Sequence, residues 1–261
     1  MAKKLCFLLG AGGARGIAHV GFLKAMEEEG IKPDCIAGCS MGAVVGASYS
    51  KGVSIEKMKS VIDTIKMKDI VDVNFMPFNK KSLFRSLKMR QRIIDLLGNG
   101  NIEDLDIPFE CVAVDIVKGR VVTLNKGCLI NAVCASSAIP MVFKPVEIDD
   151  MELIDGGVLM RIPYASATHF KADVTIAVDV IGGLKEFKPT RNIFSQAMRV
   201  IEVADTFIAH KNHHYHKPDL LITPDMGDMS QFKAQNLDVA YEAGYKAGKE
   251  NAQKIKDLLK E

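Results

Sequence analysis

Two short apolar runs near the start of the chain constrain its fold more than any other feature. The first, Lys4–Leu9, is predicted to be a buried strand, and the apolar spacing of Ile17–Glu29 predicts a helix that Gly30 ends. The second, Cys35–Cys39, leads directly into a predicted helix of small residues, Gly42–Tyr49. Strands that alternate with helices pair in parallel, because each helix carries the chain back to the starting end of the sheet. We therefore predict a mostly parallel sheet covered by helices.

The same alternation continues through the rest of the chain. Further strands are predicted at Phe109–Asp115, Arg120–Leu124, Val174–Val180 and Asp219–Thr223. Further helices are predicted at Cys128–Ser136, Arg191–Tyr215 and Phe232–Leu259. The 261 residues contain no internal repeat and no low-complexity linker, and they can bury a substantial core. We therefore predict a single α/β domain over residues 1–261.

One segment, Ile65–Ile107, departs from this alternation. It contains Phe75-Met76-Pro77-Phe78, which precedes a helix predicted from Leu83 to Leu97. The apolar residues of that helix are Leu83, Leu87, Ile94 and Leu97, and its basic residues are Lys81, Arg85, Lys88 and Arg92. Two interpretations are open: an ordinary surface helix packed on the core, or a lid or membrane-docking element, since basic amphipathic helices can lie on anionic membranes.

The composition is typical of a globular protein: 48% of residues are hydrophobic and 25% are charged. A net charge of +2 gives no electrostatic reason to expect nucleic-acid binding. The six cysteines form no Cys-x-x-Cys pair, which favours buried free thiols in a reducing compartment. The N-terminal run is shorter than the roughly 7–15 apolar residues of a signal peptide. No stretch approaches the roughly 20 of a membrane span. We expect a cytoplasmic protein, with peripheral contact at the inner face of the membrane as an open alternative.

The first motif is the heptapeptide Gly10-Ala11-Gly12-Gly13-Ala14-Arg15-Gly16, which follows the first strand and opens the first helix. Such glycines allow a sharp turn that exposes backbone N–H groups at a helix N-terminus, where negative charge is favoured. Three interpretations are open: a loop that binds a dinucleotide pyrophosphate, an oxyanion hole for acyl transfer, or a tight turn without a ligand. The strict dinucleotide spacing is not met, because Arg15 stands where the last glycine is required.

The second motif, Gly38-Cys39-Ser40-Met41-Gly42, lies between a predicted strand and a predicted helix. In a nucleophile elbow the serine occupies a strained turn at the end of the strand, and the flanking glycines avoid a steric clash. We therefore predict that Ser40 is a nucleophile; the alternative is a serine that only caps the helix. Cys39 is expected to pack rather than to react.

The third motif, Ile154-Asp155-Gly156-Gly157, places a carboxylate at the end of a short apolar stretch. By itself it is best explained as an ordinary Asp-Gly turn. Asp115 and Asp179 also lie near the ends of predicted strands, so the position alone does not distinguish Asp155. What distinguishes Asp155 is its combination with the other two motifs.

Together and in this order, the three motifs resemble those of the patatin-like phospholipase family. The resemblance is to its compact bacterial members and to the esterase domains related to neuropathy target esterase. It covers nearly the whole chain and includes Ala135-Ser136-Ser137-Ala138-Ile139-Pro140 and Phe143-Lys144-Pro145. It implies a three-layer patatin-like α/β fold and a serine hydrolase that acts on lipid acyl esters, of the phospholipase A or lysophospholipase type.

By this resemblance Ser40 is the nucleophile, and Asp155 is its partner in a dyad without histidine. The backbone amides of Gly12, Gly13 and Ala14 form the oxyanion hole. The residues expected to support this geometry are Arg15, Gly16, Gly38, Gly42 and Gly156. The family usually has glycine at the position of Ala11, and alanine tolerates a positive φ poorly, so the donor geometry there depends on the backbone of Ala11.

The dyad raises a chemical difficulty, because an aspartate with a pKa near ~3.9 is a weak general base at neutral pH. If Asp155 accepts the Ser40 proton, we predict that it is shielded from water, which raises its pKa by desolvation.

Competing hypotheses use other residues. A Ser–Asp–His triad would need a late histidine, and the candidates are His169, His210, His213, His214 and His216. The spacing of His210, His213 and His214 would also allow a metal site, although a polar helix end is the favoured interpretation. His19 is expected to be hydrogen-bonded locally. A nucleotide-binding module would use the glycine-rich loop with Asp34, and a catalytically inactive member would use the pocket for sensing.

The substrate is not determined by composition. The apolar residues close to the motifs or in the irregular segment are Met41, Phe75, Met76, Phe78, Met141 and Phe143. They suit an acyl chain and equally a hydrophobic core. Phospholipid, lysophospholipid, neutral glyceride and thioester all remain open. The sequence has no calcium-loop or zinc signature, so we expect no metal or other cofactor, and it does not indicate the oligomeric state.

Overall fold

The computed structural model describes residues 2–64, 81–184, 186, 193–229, 231 and 237–260. Within these ranges the chain forms one mixed sheet. Its strands are β1 (Leu5–Leu9), β2 (Cys35–Cys39), β3 (Phe109–Asp115), β4 (Arg120–Leu124), β5 (Val146–Ile148), β6 (Met151–Asp155), β7 (Val174–Val178) and β8 (Leu220–Ile222). The order across the sheet is β5-β6-β3-β2-β1-β7-β8, and β4 pairs with β3.

The centre of the sheet is parallel, as predicted: β1 pairs in parallel with β2 and with β7, β2 with β3, and β7 with β8. At one edge β4 and β6 run antiparallel to β3, and β5 pairs antiparallel with β6. Every residue of β1, β2 and β7 is buried, which explains their largely apolar sequences.

Helices cover both faces of the sheet. They are α1 (Ala18–Glu28), α2 (Met41–Ser50), α3 (Ile55–Thr64), α4 (Lys81–Leu97), α5 (Leu129–Ser136), α6 (Ala165–Phe170), α7 (Ile193–Tyr215) and α8 (Leu237–Lys260). Leu5, Phe7 and Leu9 of β1 join the main core, which extends through α1 and α2 to α8. Cys6 and Leu8 point to the other face and pack in a second cluster next to α6. The fold is therefore the predicted three-layer arrangement.

Two kinds of element were absent from the sequence-based prediction. The β5–β6 hairpin was not predicted because its strands are short and β5 is only partly buried, so the apolar alternation is weak. The short helices α3 and α6, of 10 and 6 residues respectively, were also not predicted.

The irregular segment 65–107 is only partly described, since Phe75, Met76 and Phe78 lie outside the described residues. The first residues predicted for the helices α7 and α8 also lie outside them. In the described part of α4, Ile93 and Leu97 are buried in the main core. That packing is what an ordinary surface helix requires, and a lid role for the segment stays a prediction. In the described ranges, no helix has both the length and the apolar character needed to cross a bilayer.

Candidate active site

The three sequence motifs meet at the end of the sheet where β1 and β2 finish. Because β1 and β2 are parallel, the glycine-rich turn after Leu9 and the elbow after Cys39 emerge side by side. Asp155 ends β6, where it is paired with Ala113 of β3. A cavity with an empty volume of about 570 Å³, part of it open to solvent, lies between these elements and is lined by both Ser40 and Asp155.

Ser40 occupies the strained turn expected of a nucleophile elbow. Its backbone has φ 54° and ψ −121°, a conformation that L-residues rarely adopt and that costs on the order of 1–3 kcal/mol. Hydrogen bonds from the last residue of α5 and from the residue after it hold Ser40 there. The N–H of Ser40 donates to Ser136 Oγ (3.0 Å), and Ser137 Oγ donates to the carbonyl of Ser40 (3.2 Å). Both serines belong to the segment whose resemblance was noted in the sequence, although no role was predicted for them.

Glycine is required around this turn by close contact. A Cβ at Gly42 would lie 2.2 Å from the carbonyl oxygen of Leu9, so the helix α2 could not begin so close to β1 with any larger residue. A Cβ at Gly16, Gly38 or Gly156 would likewise lie only 2.4 to 2.5 Å from the nearest atom of a neighbouring residue.

Ser40 and Asp155 form the predicted pair. Ser40 Oγ donates to Asp155 Oδ2 at 2.6 Å, and the other carboxylate oxygen, Oδ1, accepts the N–H of Gly157 at 2.8 Å. Both side chains are buried. Burial raises the pKa of Asp155 to about 6, against the opposing effect of the hydrogen bonds from Ser40 and Gly157. The direction and the cause of this shift are those predicted from the sequence.

The other strand-terminal aspartates have different partners. Asp115 accepts the N–H groups of Val117 and Lys118 in the turn after β3. Asp179 forms an ion pair with Arg161 at 2.9 Å. Asp155 is therefore the one of the three that reaches Ser40.

The amides predicted for the oxyanion hole differ in their partners. Gly12 and Gly13 line the cavity beside Ser40, and in the described part of the chain no hydrogen bond uses their N–H groups. The N–H of Ala14 donates to the carbonyl of Gln231 at 2.9 Å, so the role predicted for Ala14 would require it to leave that partner. Ala11 has no positive φ, so its substitution for glycine introduces no backbone strain.

Two buried side chains, Arg15 and His19, hold the glycine-rich turn in place by hydrogen bonds to backbone carbonyls. Arg15 donates through Nε to the carbonyl of Met229 (2.7 Å) and through a terminal nitrogen to the carbonyl of Ile181 (2.9 Å). The His19 ring lies 2.8 Å from the carbonyl of Gly10 through Nε2, and burial lowers its pKa to about 4. A neutral His19 must carry its proton on Nε2 to donate there, which is the local hydrogen bond expected for it.

The cavity wall combines an apolar surface with carboxylates from α7. Its apolar residues are Ala11, Ile139, Pro140, Val158, Ile181, Met198 and Ile201. Glu202 and Asp205 also line it. Asp205 is paired with the buried Arg161 at 3.2 Å, and burial raises its pKa to about 7 while Arg161 opposes the shift. Sequence reasoning missed Arg161 and Asp205, because nothing in their local sequence separates them from surface charges.

The residues required by the competing hypotheses lie elsewhere. His169 contacts Glu110 of β3, and among the described contacts it reaches neither Ser40 nor Asp155. The histidines from 210 to 216 lie at the end of α7, where His213 contacts the hydroxyl of Tyr164. Asp34 accepts the N–H of Leu5 at the start of β1, away from the glycine-rich turn. An acid that binds the ribose of a nucleotide would have to lie near that turn. Among the described residues, no three His, Cys, Asp or Glu side chains are grouped to hold a metal ion.

Comparison with known proteins finds a family model and relatives that match this chain. Residues 7–168 match the family model described as patatin-like phospholipase. An uncharacterized NTE family protein of Mycobacterium tuberculosis is 36% identical over 191 residues, which cover 73% of this chain and 52% of the relative. The chain thus matches about half the length of this curated relative.

A fungal relative and a solved structure extend the comparison. A lysophospholipase of Emericella nidulans, nte1, is 26% identical over 287 residues, covering 98% of this chain and 19% of that protein. The crystal structure of VipD from Legionella pneumophila superposes with a TM-score of 0.57 at 14% identity and covers 99% of this chain and 67% of that one. At this identity the likeness concerns the fold alone.

Proposed function

The chain belongs to the patatin-like phospholipase family, and from this premise we propose that it is a serine hydrolase that cleaves lipid acyl esters, of the phospholipase A or lysophospholipase type. Ser40 is the nucleophile and Asp155 the general base in this proposal. The observation that carries it is the 2.6 Å hydrogen bond from Ser40 Oγ to a buried carboxylate of raised pKa.

The first half of the reaction forms an acyl-enzyme. As Ser40 Oγ attacks the acyl carbonyl carbon, its proton passes to Asp155 Oδ2. The carbonyl oxygen becomes an oxyanion, and the amides of Gly12 and Gly13 stabilise its charge. When the intermediate collapses, the bond to the leaving oxygen breaks, and Asp155 returns the proton to that oxygen.

The second half releases the fatty acid. A water molecule gives a proton to Asp155 while its oxygen attacks the acyl carbon of the Ser40 ester. Collapse of this second intermediate breaks the bond to Ser40 Oγ, which takes back the proton from Asp155. One carboxylate therefore serves as base and acid in both halves, which a pKa near neutrality favours.

The class of substrate is supported by the cavity and by the relatives. The wall beside Ser40 is largely apolar, as an acyl chain requires, and a fungal relative bears the name lysophospholipase. The chain matches only 19% of that relative, so a lysophospholipid substrate is proposed for this protein and does not follow from the match alone. We also propose that residues 1–261 act as a single catalytic domain, since one core joins β1 to α8. The role of segment 65–107 as a lid over the cavity remains a proposal of the same kind.

The test combines covalent labelling with hydrolysis. A fluorophosphonate probe should label the wild-type protein and not Ser40→Ala, because the probe reacts with an activated serine. Hydrolysis of a dissolved short-chain ester and of a lysophospholipid should fall by about 10³-fold or more in Ser40→Ala and Asp155→Asn.

Matched controls change the same residue types at exposed positions. Ser60→Ala and Asp225→Asn should label and hydrolyse as the wild type does, because both positions are on the surface. An unlabelled wild-type protein, or full activity in Ser40→Ala, would overturn the proposal.

A further inference from the structure

Helix α7 has an unusual exposed face. Ile193, Val200 and Phe207 follow one another at intervals of seven residues, and Val200 and Phe207 remain 67% and 74% exposed. Val203, 45% exposed, lies on the same side. Residues seven apart lie nearly above one another on a helix, so these side chains form a continuous apolar stripe. Large exposed apolar stripes mark contact surfaces in proteins.

The C-terminal part of the same face is basic. A groove beside it is lined by apolar groups of Leu184, Val203, Phe207 and Tyr215 and by the cationic side chains of Lys211 and Lys217. Among the described residues that line this groove, none is a carboxylate. The acids of α7, Glu202 and Asp205, point to the opposite side and line the Ser40 cavity.

The helix α8 provides an internal comparison. It has 24 residues against the 23 of α7, yet its exposed positions are polar or charged apart from Val239. The exposed stripe of α7 is therefore not a general property of the long surface helices of this fold.

We propose that the outer face of α7, defined by Ile193, Val200, Val203, Phe207 and Lys211, is the surface by which the protein docks on an anionic lipid bilayer. The inference rests on the proposed function, because it concerns how the lipid substrate reaches the site. Apolar side chains enter the interface, and the lysines pair with anionic headgroups. A second copy of the chain complements this face less well. If the same face of two copies met, lysines would lie against lysines, with no carboxylate from the described groove to pair with them.

The position of α7 gives this docking a role in catalysis. Met198, Ile201 and Asp205 on its inner side form a wall of the Ser40 cavity. A lipid in the docked bilayer is then separated from the cavity by the thickness of one helix, about 10 Å. Docking on this face would bring substrate to the cavity.

The test is flotation of the whole chain with vesicles of phosphatidylcholine, with and without phosphatidylglycerol. The Ser40→Ala background is used so that hydrolysis does not alter the vesicles. We expect binding to the anionic vesicles, weakened about tenfold by Phe207→Ser. Lys211→Gln with Lys217→Gln should weaken binding to anionic vesicles by about thirtyfold and abolish their advantage over neutral ones.

The matched control carries Val239→Ser and Lys246→Gln on α8 and should bind as the parent protein does. Thermal unfolding of each variant establishes that it is folded. Equal binding by the parent and Phe207→Ser, or no binding to either vesicle, would overturn the inference. So would a dimer in solution that Phe207→Ser dissociates, because a second copy would then cover the face. Hydrolysis of a dissolved ester by the wild type tests the Ser40–Asp155 site separately, so failure of docking and failure of the proposed chemistry give different results.

Discussion

At the scale of single residues, the site depends on one buried carboxylate. Asp155 receives two hydrogen bonds, from Ser40 and from the N–H of Gly157, and both favour its charged form. Burial opposes them and is the larger effect, so the pKa rises to about 6. The carboxylate is thus a stronger base than an ordinary aspartate, and it remains mostly ionised at neutral pH.

This shift predicts the pH dependence of hydrolysis. The base must be deprotonated, so kcat/KM for a dissolved short-chain ester should be constant above neutrality and fall as pH decreases through about 6. The measurement is a pH–rate profile under conditions in which the protein stays folded. A profile that is flat down to about pH 4.5, as an ordinary aspartate would give, would contradict the assignment of Asp155 as the base.

The same shift predicts a gain in stability when the charge is removed. The folded pKa of about 6 exceeds the 3.8 of an unperturbed aspartate, so the folded state binds the proton more tightly, and stability falls as pH rises between these values. Asp155→Asn preserves the shape: its amide oxygen can accept the N–H of Gly157, and its amide nitrogen can donate to Ser40 Oγ, which reverses the direction of that hydrogen bond. Its free energy of unfolding should therefore exceed that of the wild type by about 1–3 kcal/mol at pH 7.5, with the difference disappearing near pH 4. Urea unfolding at the two pH values measures this, and a loss of stability at both would contradict it.

At the scale of elements, the glycine-rich turn is supported by the contact between α1 and α8. Each helix has a glycine at the crossing. A Cβ at Gly21 would lie 2.0 Å from the carbonyl oxygen of Tyr241, and one at Gly244 would lie 1.9 Å from that of Ala18. The two backbones therefore touch. Because α1 follows the turn directly, α8 also holds the turn in place.

A methyl group at this crossing should separate the helices. Gly244→Ala gains about 1 kcal/mol of helix propensity, but the clash is with backbone atoms that cannot rotate away. We expect a net loss of about 2–3 kcal/mol in the free energy of unfolding. Lys246→Ala, two residues further along on the exposed side, should change it by less than about 0.5 kcal/mol. Equal stability of the two variants in urea would show that the helices can move apart at no cost.

At the scale of the whole molecule, Arg161 connects parts of the chain that are distant in sequence. Its guanidinium pairs with Asp179 after β7 at 2.9 Å and with Asp205 of α7 at 3.2 Å. Its carbonyl accepts the N–H of Ala11 at 2.8 Å. The position of the glycine-rich turn relative to α7 therefore depends on one buried ion network.

Removal of Arg161 should leave two buried carboxylates without their cation. Arg161→Met is expected to lower the free energy of unfolding by about 3–5 kcal/mol. Without the cation the pKa of Asp205 rises further, so the loss should be smaller in mild acid, where this carboxyl is protonated, than above neutrality. Lys246→Met is the control, because Lys246 and its partner Glu250 are both largely exposed and such pairs contribute about 0–1 kcal/mol. Urea unfolding at two pH values would contradict the prediction if both variants lost the same amount.

The local features of the fold were predictable because periodicity and turn chemistry act over a few residues. The central strands and the longer helices follow from apolar spacing. The elbow at Ser40 follows from glycines at positions 38 and 42 between a strand and a helix. The β5–β6 hairpin did not follow, because its stability comes from pairing with β3, which no local pattern records.

The sequence by itself determined the α/β class, the elbow at Ser40 and, through the resemblance of its motifs to a known family, Asp155 as the candidate partner of Ser40. Only the tertiary structure decided that Asp155, rather than Asp115 or Asp179, reaches a serine 115 positions away. It also decided that the amide of Ala14 is bound to Gln231 and that α7 exposes an apolar face. The physical reason is that hydrogen bonding and desolvation depend on which groups packing brings together, and the spacing of residues along the chain does not contain that information.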